Sequence, residues 1–357
     1  MSKEQAQPLP GVGVDVGTSN VVVTRRMPDG SFSVRHHRNM LFEMEDSEDS
    51  AGVVEGGDFL FVRSGGKYYV VGEDALRLCN AMGAGEVIRP MRDGMLNPSL
   101  KRSKDLLLHV IRATVGKPVA DGECLRFCVP ANPVDVPDAN NAYHQAILGE
   151  FFTSLGYSTR AVNEALANVY SEGPTMEVDG EKPHPNTGYS VSFGGGMANS
   201  CYAMRGKSLV EFSTTRCGDH IDRQASMVTG EPVGKVIRVK ERQLDLDRQP
   251  AEDDPARNVL EALSVYYDEM IARVARTMSR EMTRRGGTFE GPVEVVLCGG
   301  TAMARGFVGR FEKALARVEM PFRTKSVRLS KSPFFSVSQG CALAAAADQK
   351  KKDGNKT

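Results

Sequence analysis

Three glycine-rich turns mark where this sequence could hold a phosphate group. Each follows an apolar, strand-like run, and they read DVGTSN (15–20), SFGGGMAN (192–199) and CGGTAMARGF (298–307). Glycine lets the backbone approach a ligand closely, so that amide N–H groups can point at phosphate oxygens. Phosphate chemistry usually also needs carboxylates that hold Mg²⁺ and orient the attacking group. Asp15 supplies one in the first turn, whereas Ser192 and Asn199 are uncharged in the second.

Each turn taken alone also fits an ordinary hairpin or strand–helix connection. RGKS (205–208) is not a Walker sequence, because Cys201 stands where the first glycine is needed. The sequence contains no GxSxG and no His/Cys cluster with metal-ligand spacing. The seven cysteines include no CxxC pair, which favours buried thiols in a reducing compartment.

The elements that must position these turns alternate between strands and helices. Residues 11–26 and 189–204 both read as strand, glycine turn and strand, and aligning the turns places Asp15 over Ser192. A helix is predicted to begin near Pro137, and a long helix is predicted over about 256–285. This alternation predicts an α/β fold, and the repeated hairpin indicates two related halves that face a cleft.

The order and spacing of five motifs resemble the superfamily shared by actin, heat-shock chaperone ATPases and sugar kinases. The three turns resemble its two phosphate loops and its adenosine loop, while NEALANVY (163–170) and VSQGCALAAA (337–346) resemble its connecting helices. Further resemblance to the bacterial actins, of the MreB and MamK type, lies in VVGEDALRL (70–78), IRPMRDGML (88–96) and CGDHIDRQ (217–224). The resemblance covers about residues 9–348 and identifies a bacterial actin-like protein.

This resemblance implies an actin-like two-lobe fold of duplicated ribonuclease-H-like domains around a nucleotide cleft. Domain I would comprise 9–188 and 334–348, with an inserted subdomain IB at 33–92, and domain II would comprise 189–333. Subdomain IIB is expected to be reduced, because the segment before the long helix is short. The basic tail, 349–357, is predicted to be disordered.

The resemblance also implies a site for ATP and Mg²⁺. Asp15 would hold the Mg²⁺ through water, and Glu164 occupies the position of the family's water-orienting acid, although the helix dipole also favours an acid there. The nucleotide-binding residues would be, for the β/γ-phosphates, Gly17, Thr18, Ser19 and Asn20; for further amide contacts, Gly194, Gly195 and Gly196; for the adenine, Gly299, Gly300 and Thr301; and for the ribose, Lys240 with Glu241.

The second turn departs from the family pattern in its charged and hydroxyl residues. The family usually carries an Asp before the glycines, a Thr after them and an acid two residues further on. Ser192, Met197 and Asn199 stand at these positions. The turn is therefore expected to grip phosphate through its amide groups while supporting slow or absent ATP hydrolysis.

We expect an ATP-binding cytoskeletal protein that assembles into filaments, with itself and nucleotide as partners and an adaptor protein as a further one. The alternatives are a monomeric chaperone-type switch or regulatory pseudo-ATPase, and a small-molecule kinase with Asp138 as the base. Nucleic acid is not expected, because Lys+Arg and Asp+Glu both total 45. The N-terminal MSKEQAQPLP reads as neither a signal peptide nor a membrane anchor, so a cytoplasmic location is expected.

Overall fold

The structure, a computed structural model, describes residues 11–83, 86–178, 182–285 and 289–354. The chain divides into two compact units. Unit 1 comprises the described residues of Met1–Val129, Asn141–Val162 and Cys341–Thr357, and unit 2 comprises those of Pro130–Asn140 and Asn163–Gly340.

Unit 1 is a mixed α/β unit. Its strands are β1 (Val12–Val16), β2 (Asn20–Arg26), β3 (Phe32–Arg38), β4 (Leu41–Glu45), β5 (Phe61–Ser64), β6 (Lys67–Val71), β7 (Met91–Arg92), β8 (Met95–Leu96), β9 (Cys124–Val129) and β10 (Ser158–Asn163). Its helices are α1 (Glu48–Gly56), α2 (Glu73–Met82), α3 (Ser103–Val115) and α4 (Ala142–Ser154).

The main sheet of unit 1 has the order β10-β9-β1-β2-β3, and β4-β6-β5 form a second sheet. Strand β1 pairs antiparallel with β2 and parallel with β9. Its valines are buried because α3 packs against β2 with an apolar face that includes Leu107 and Val110. A Cβ atom on Gly11 would lie 2.2 Å from the backbone nitrogen of Ala346, so glycine allows the last helix to approach β1 closely.

Unit 2 is a second α/β unit. Its strands are β11 (Thr175–Met176), β12 (His184–Pro185), β13 (Gly188–Phe193), β14 (Ala198–Met204), β15 (Lys207–Thr214), β16 (Val293–Cys298) and β17 (Thr324–Leu329). Its helices are α5 (Glu164–Glu172), α6 (Gly218–Thr229), α7 (Val233–Gln243), α8 (Arg257–Arg285) and α9 (Phe307–Leu315), with a 3-10 turn at Gly300–Met303. The last helix, α10 (Ser336–Gly354), begins in unit 2 and ends in unit 1.

The main sheet of unit 2 has the order β15-β14-β13-β16-β17. Strand β13 pairs antiparallel with β14 and parallel with β16, as β1 does with β2 and β9. The long α8 buries one stripe that includes Leu263, Met270 and Met278. Between α6 and α8 the chain forms only α7 and a connecting loop, in keeping with a reduced subdomain IIB. The repeated hairpin thus corresponds to a repeated strand arrangement.

The structure differs from the predicted boundaries at the start of one helix and in the division of the chain into units. Helix α4 begins at Ala142 rather than near Pro137, because Asp138 has a φ of +61°, which a right-handed helix does not allow. The resemblance assigns to domain I three segments that cluster with unit 2, namely 130–140, 163–188 and 334–340. In the second of these segments, α5 packs against β13 and β14.

The prediction of a disordered tail is wrong for residues 349–354, which continue α10. Gln349 is buried, and its Oε1 accepts a hydrogen bond from the amide of Cys124 at 3.0 Å. The neighbouring Asp348 pairs with Arg126. These contacts anchor the end of the helix, while residues 355–357 lie outside the described part of the chain. Among the described helices, none is both long and apolar enough to cross a bilayer.

Candidate functional site

The first glycine turn is closed by a hydrogen bond within the turn itself. The amide of Gly17 donates to the carbonyl of Asn20 at 2.9 Å. A Cβ atom on Gly17 would lie 3.0 Å from the same carbonyl oxygen, so the turn is tight enough to favour glycine. Thr18 donates no backbone hydrogen bond to any described residue, which leaves its amide as a donor for an anion.

Two other loops of unit 1 hold this turn, and the sequence did not reveal either contact. Asn39 is fully buried; its Nδ2 donates to the carbonyl of Gly17 and its backbone amide donates to that of Ser19, both at 2.9 Å. The amide of Gly94 donates to Thr18 Oγ1 at 3.0 Å. Gly94 and Asp93 both have positive φ, as a two-residue turn between paired strands requires. These contacts from Asn39 and Gly94 hold the turn in its conformation.

Asp15 lies at the end of β1 beside a thiol. Cys128 Sγ donates to Asp15 Oδ1 at 3.0 Å, because the parallel pairing of β1 and β9 brings these positions together. Burial raises the pKa of Asp15 to about 6, and the hydrogen bond from Cys128 opposes this rise. A cation would favour the ionised carboxylate. Mg²⁺ prefers oxygen ligands and keeps several waters, so Asp15 fits an ion held through water, whereas the thiol does not suit it.

The second glycine turn repeats the hydrogen bond of the first. The amide of Gly194 donates to the carbonyl of Met197 at 2.9 Å. Among the residues that the structure describes, none accepts a hydrogen bond from the amide of Gly195 or of Gly196. These two amides are therefore the donors that the turn can offer to a phosphate.

The carbonyl groups of this turn are held by two elements of unit 2. Gly194 O accepts from the amide of Gly218 at 3.2 Å and from Thr301 Oγ1 at 2.8 Å. Gly195 O accepts from the amide of Asp219 at 2.7 Å. A Cβ atom on Gly218 would lie 2.5 Å from Thr301 Oγ1, so glycine permits this convergence. The CGDH segment therefore has a structural role that its resemblance to the family did not specify.

Asn199 connects the uncharged part of the turn to Glu164. Its Nδ2 donates to Glu164 Oε2 at 2.7 Å, and its Oδ1 accepts from the amide of Ala131 at 3.1 Å. These two contacts use both ends of a side chain that is only 1% exposed. Glu164 is the first residue of α5, which Asn163 caps by accepting from the amides of Ala165 and Leu166. The Glu164 carboxylate is thus oriented by an amide where the family carries an acid.

Ser192 and Met197 contribute no charge to this turn. Ser192 is buried and lies opposite Asn199 in the β13–β14 pairing. Met197 is also buried, and its Sδ accepts a hydrogen bond from Ser213 Oγ at 3.6 Å. Met197 therefore belongs to the packing of unit 2 and offers no hydroxyl group to a ligand.

The third turn is compressed against β13. Gly299 has φ +91°, and a Cβ atom there would lie 2.3 Å from the carbonyl oxygen of Phe193. A Cβ atom on Gly300 would lie 3.7 Å from the ring of Phe334. The protein's own packing therefore requires glycine at position 299, whereas a Cβ atom at position 300 would make only an ordinary van der Waals contact. Thr301 contacts Gly194 as described above.

Lys240 forms a buried ion pair. Its Nζ lies 2.6 Å from Asp222 Oδ2, and the Asp222 side chain is only 3% exposed. Of the residues predicted to bind adenosine, Thr301 contacts the second glycine turn directly. Lys240 instead pairs with Asp222 of the CGDHIDRQ segment.

The chain is similar to several solved structures of the actin type. It is 19% identical to the MamK double helical filament, with 95% of this chain and 98% of that chain covered and a TM-score of 0.66. It is 15% identical to MreB5 of Spiroplasma citri bound to AMPPNP, with 97% and 99% covered and a TM-score of 0.60. It is also 15% identical to the ethanolamine utilization protein EutJ from Carboxydothermus hydrogenoformans, with 95% and 91% covered and a TM-score of 0.51.

These similarities confirm the actin-like fold and the resemblance to bacterial actins. A search of the curated proteins found no match. The volactin family model matches residues 11–346, and the chain therefore belongs to the volactin family.

Proposed function

We propose that this member of the volactin family binds ATP with Mg²⁺, assembles into filaments and hydrolyses ATP slowly or not at all. The observation that carries the proposal is the repeated turn, in which Gly17 and Gly194 close equivalent hydrogen bonds to Asn20 and Met197. Each unit thereby presents backbone amides at the end of a hairpin, and such amides bind phosphate oxygens.

The phosphate donors are the amides of Thr18, Gly195 and Gly196, with Gly17, Ser19, Asn20 and Gly194 shaping the turns. Asp15 would hold Mg²⁺ through water, and the ion would supply positive charge that offsets the charge of the phosphates. Gly299, Gly300 and Thr301 form the adenine side of the site, and Lys240 supports the ribose side from its pair with Asp222. The nucleotide named for MreB5, AMPPNP, supports ATP as the ligand.

Slow hydrolysis follows from the side chains that surround the second turn. Glu164 is the proposed water-orienting acid, and Asn199 holds its carboxylate. Positioning and electrostatics dominate phosphoryl transfer, so residues that carry no charge contribute little to its rate. Ser192, Met197 and Asn199 carry no charge. Loss of one polar contact to a transition state commonly lowers the rate on the order of 10²–10³-fold.

Filament assembly is supported by the similarity to MamK, which was solved as a double helical filament. Such polymers form when a head-to-tail contact does not close into a ring. A monomeric nucleotide switch remains the alternative, and assembly in the presence of nucleotide separates the two.

The test measures nucleotide binding and assembly on the same nucleotide-free preparation. Mg-ATP or Mg-AMPPNP should raise the melting temperature, because a ligand bound only to the native state stabilises it. Asp15→Asn should reduce the shift with Mg-ATP and leave the shift with Mg-free ATP largely unchanged. No shift at millimolar Mg-ATP would contradict the binding proposal. A shift without sedimenting polymer would favour the monomeric switch.

A further inference from the structure

The third glycine turn contains one glycine that the fold requires and one that it does not. A Cβ atom on Gly299 would clash with Phe193, as described above. Gly300 lacks the left-handed φ that favours glycine. Apart from the turn itself, the described atoms within 4 Å of a Cβ there are two ring carbons of Phe334, at 3.7 and 3.8 Å. Alanine would therefore fit at position 300 without disturbing the fold.

Phe334 places an aromatic ring beside this bare stretch of backbone. Its side chain is half-buried, so part of it remains accessible to a ligand. Two contacts hold the segment in place. The amide of Gly299 donates to the carbonyl of Pro333 at 2.8 Å, and the ring of Phe335 meets that of Phe334 edge to face, with the ring centroids 5.2 Å apart. We call the surface formed by the Gly300 backbone and the Phe334 ring the base platform.

The polar side chains of the same turn are engaged in other contacts. Thr301 Oγ1 donates to the carbonyl of Gly194 at 2.8 Å. Arg305 Nε lies 3.4 Å from Asp245 Oδ2. Met303 is 52% exposed, but its thioether is only a weak acceptor. This part of the turn therefore offers a ligand a surface for stacking more than groups for hydrogen bonding.

One carboxylate lies at the other end of the turn. Asp247 Oδ1 is 2.6 Å from the place that a Cβ atom on Gly306 would take. A carboxylate accepts hydrogen bonds from amino groups, and both adenine and guanine carry one. Asp247 therefore does not by itself distinguish the two purines.

We propose that the base of a purine nucleotide stacks on the base platform, where Phe334 supplies an aromatic face and Gly300 leaves room for the base. Stacking on an aromatic side chain tolerates any base, because every base has a π face. Purines have a larger face than pyrimidines, so the platform accepts ATP and GTP alike and binds CTP more weakly. This inference rests on the proposed nucleotide binding and extends it from ATP to purine nucleotides as a class.

The experiment measures the dissociation constants of ATP, GTP, CTP and tripolyphosphate, each with Mg²⁺, by calorimetry on nucleotide-free protein. Tripolyphosphate is the probe that lacks a base, so its binding does not involve the platform. The wild type should bind ATP and GTP within about threefold of each other. Phe334→Leu and Gly300→Ala should each weaken the binding of both about 10-fold and leave tripolyphosphate binding unchanged. Phe334→Tyr keeps the aromatic face and should retain the wild-type constants.

Gly309→Ala is the matched control for Gly300→Ala. Gly309 lies on α9 of the same unit, and outside its own helix no described atom lies within 4 Å of a Cβ there. This variant should leave all the dissociation constants unchanged. An unchanged melting temperature without ligand shows that each variant is folded.

A fluorescent reporter tests contact with the base directly. The chain contains no tryptophan, so Phe334→Trp introduces a single fluorophore at the platform. ATP and GTP should quench its emission, and tripolyphosphate should not. Phe32→Trp is the control, because Phe32 pairs with Arg26 at the end of β3 that is remote from the first glycine turn. This measurement also decides the matter if Phe334→Leu fails to fold.

Wild-type affinity of Phe334→Leu for ATP would overturn this inference and leave the proposed nucleotide binding standing. Equal effects of Gly300→Ala and Gly309→Ala would do the same, as would a Phe334→Trp emission that bound ATP leaves unchanged. A preference for ATP over GTP of more than about 10-fold would also overturn it. A wild-type chain that binds neither ATP nor tripolyphosphate would overturn the proposed function as well.

Discussion

Asn199→Asp tests whether hydrolysis becomes faster when the second turn carries the acid that the actin superfamily usually has at this position. A simple restoration would predict faster hydrolysis. The structure predicts a destabilised turn instead. Asn199 is buried, and its Nδ2 donates a hydrogen bond to Glu164 Oε2 at 2.7 Å. The substitution keeps the shape of the side chain but replaces a donor with a second carboxylate.

The magnitude follows from this contact. Two unit charges 4 Å apart repel by about 4 kcal/mol at an effective dielectric constant of 20. The lost hydrogen bond to a charged group adds about 1.5–3 kcal/mol. The pair avoids most of this cost by sharing one proton, which raises the pKa of the pair above that of free carboxyl groups. An upward shift of three pKa units corresponds to about 4 kcal/mol.

The raised pKa of the carboxyl pair determines how the stability of the variant changes with pH. The folded variant holds a proton that the unfolded chain releases above about pH 4, so its stability falls as pH rises toward the raised pKa. Urea unfolding should therefore show a small loss relative to wild type at pH 5 and a loss of several kcal/mol at pH 8. Single-turnover hydrolysis should not increase.

A double-mutant cycle supplies the control. Glu164→Gln in the Asn199→Asp background removes one of the two carboxylates, so the added pH dependence should disappear. Equal losses of stability at pH 5 and pH 8 would refute the reasoning. The reasoning would also be refuted if the stability of the Asn199→Asp chain depended on pH in the same way with and without the Glu164 carboxylate.

Three further predictions concern other buried groups. Burial lowers the pKa of His144 to about 4, and neither of its ring nitrogens has a hydrogen-bond partner among the described residues. Stability should thus fall by about 2 kcal/mol between pH 7 and pH 5, and His144→Leu should remove this loss in urea unfolding. Gly299→Ala should lower the melting temperature more than Gly30→Ala, because both have positive φ but only Gly299 would clash with Phe193; equal losses would contradict this. Asn39→Ala should cost about 1–3 kcal/mol and shrink the ATP-induced thermal shift, and an unchanged shift would show that Asn39 does not shape the first turn.

The strand arrangement could be predicted because it depends on local signals. Apolar runs interrupted by glycine specify hairpins, and two such hairpins in equivalent sequence contexts specify two similar sheets. Boundaries that depend on distant contacts could not be predicted in this way. The lysine-rich end of α10 looked disordered, yet it is helical because Gln349 and Asp348 meet β9.

The same distinction applies to the candidate site. Asp15, Glu164 and the glycine turns were visible as residue types in a recognisable order. Their partners were not, because Cys128 and Asn199 acquire their roles only when the sheets form. A cysteine within an apolar strand predicts core packing, and nothing in the sequence pairs it with a particular carboxylate.

Under the proposed function, the two turns separate phosphate binding from phosphate chemistry within one chain. Their backbone hydrogen bonds are equivalent, so the ability to present amides does not depend on which side chains follow the glycines. Hydrolysis depends on those side chains, because it requires charge and a positioned water. At Asn199 the chain has an amide that satisfies both Ala131 and Glu164, which an acid could not do without taking up a proton. An actin-like protein built in this way would be controlled by nucleotide occupancy more than by turnover. Its polymers should therefore respond to AMPPNP and ATP alike, and a marked difference in polymer lifetime between the two nucleotides would show that turnover controls assembly after all.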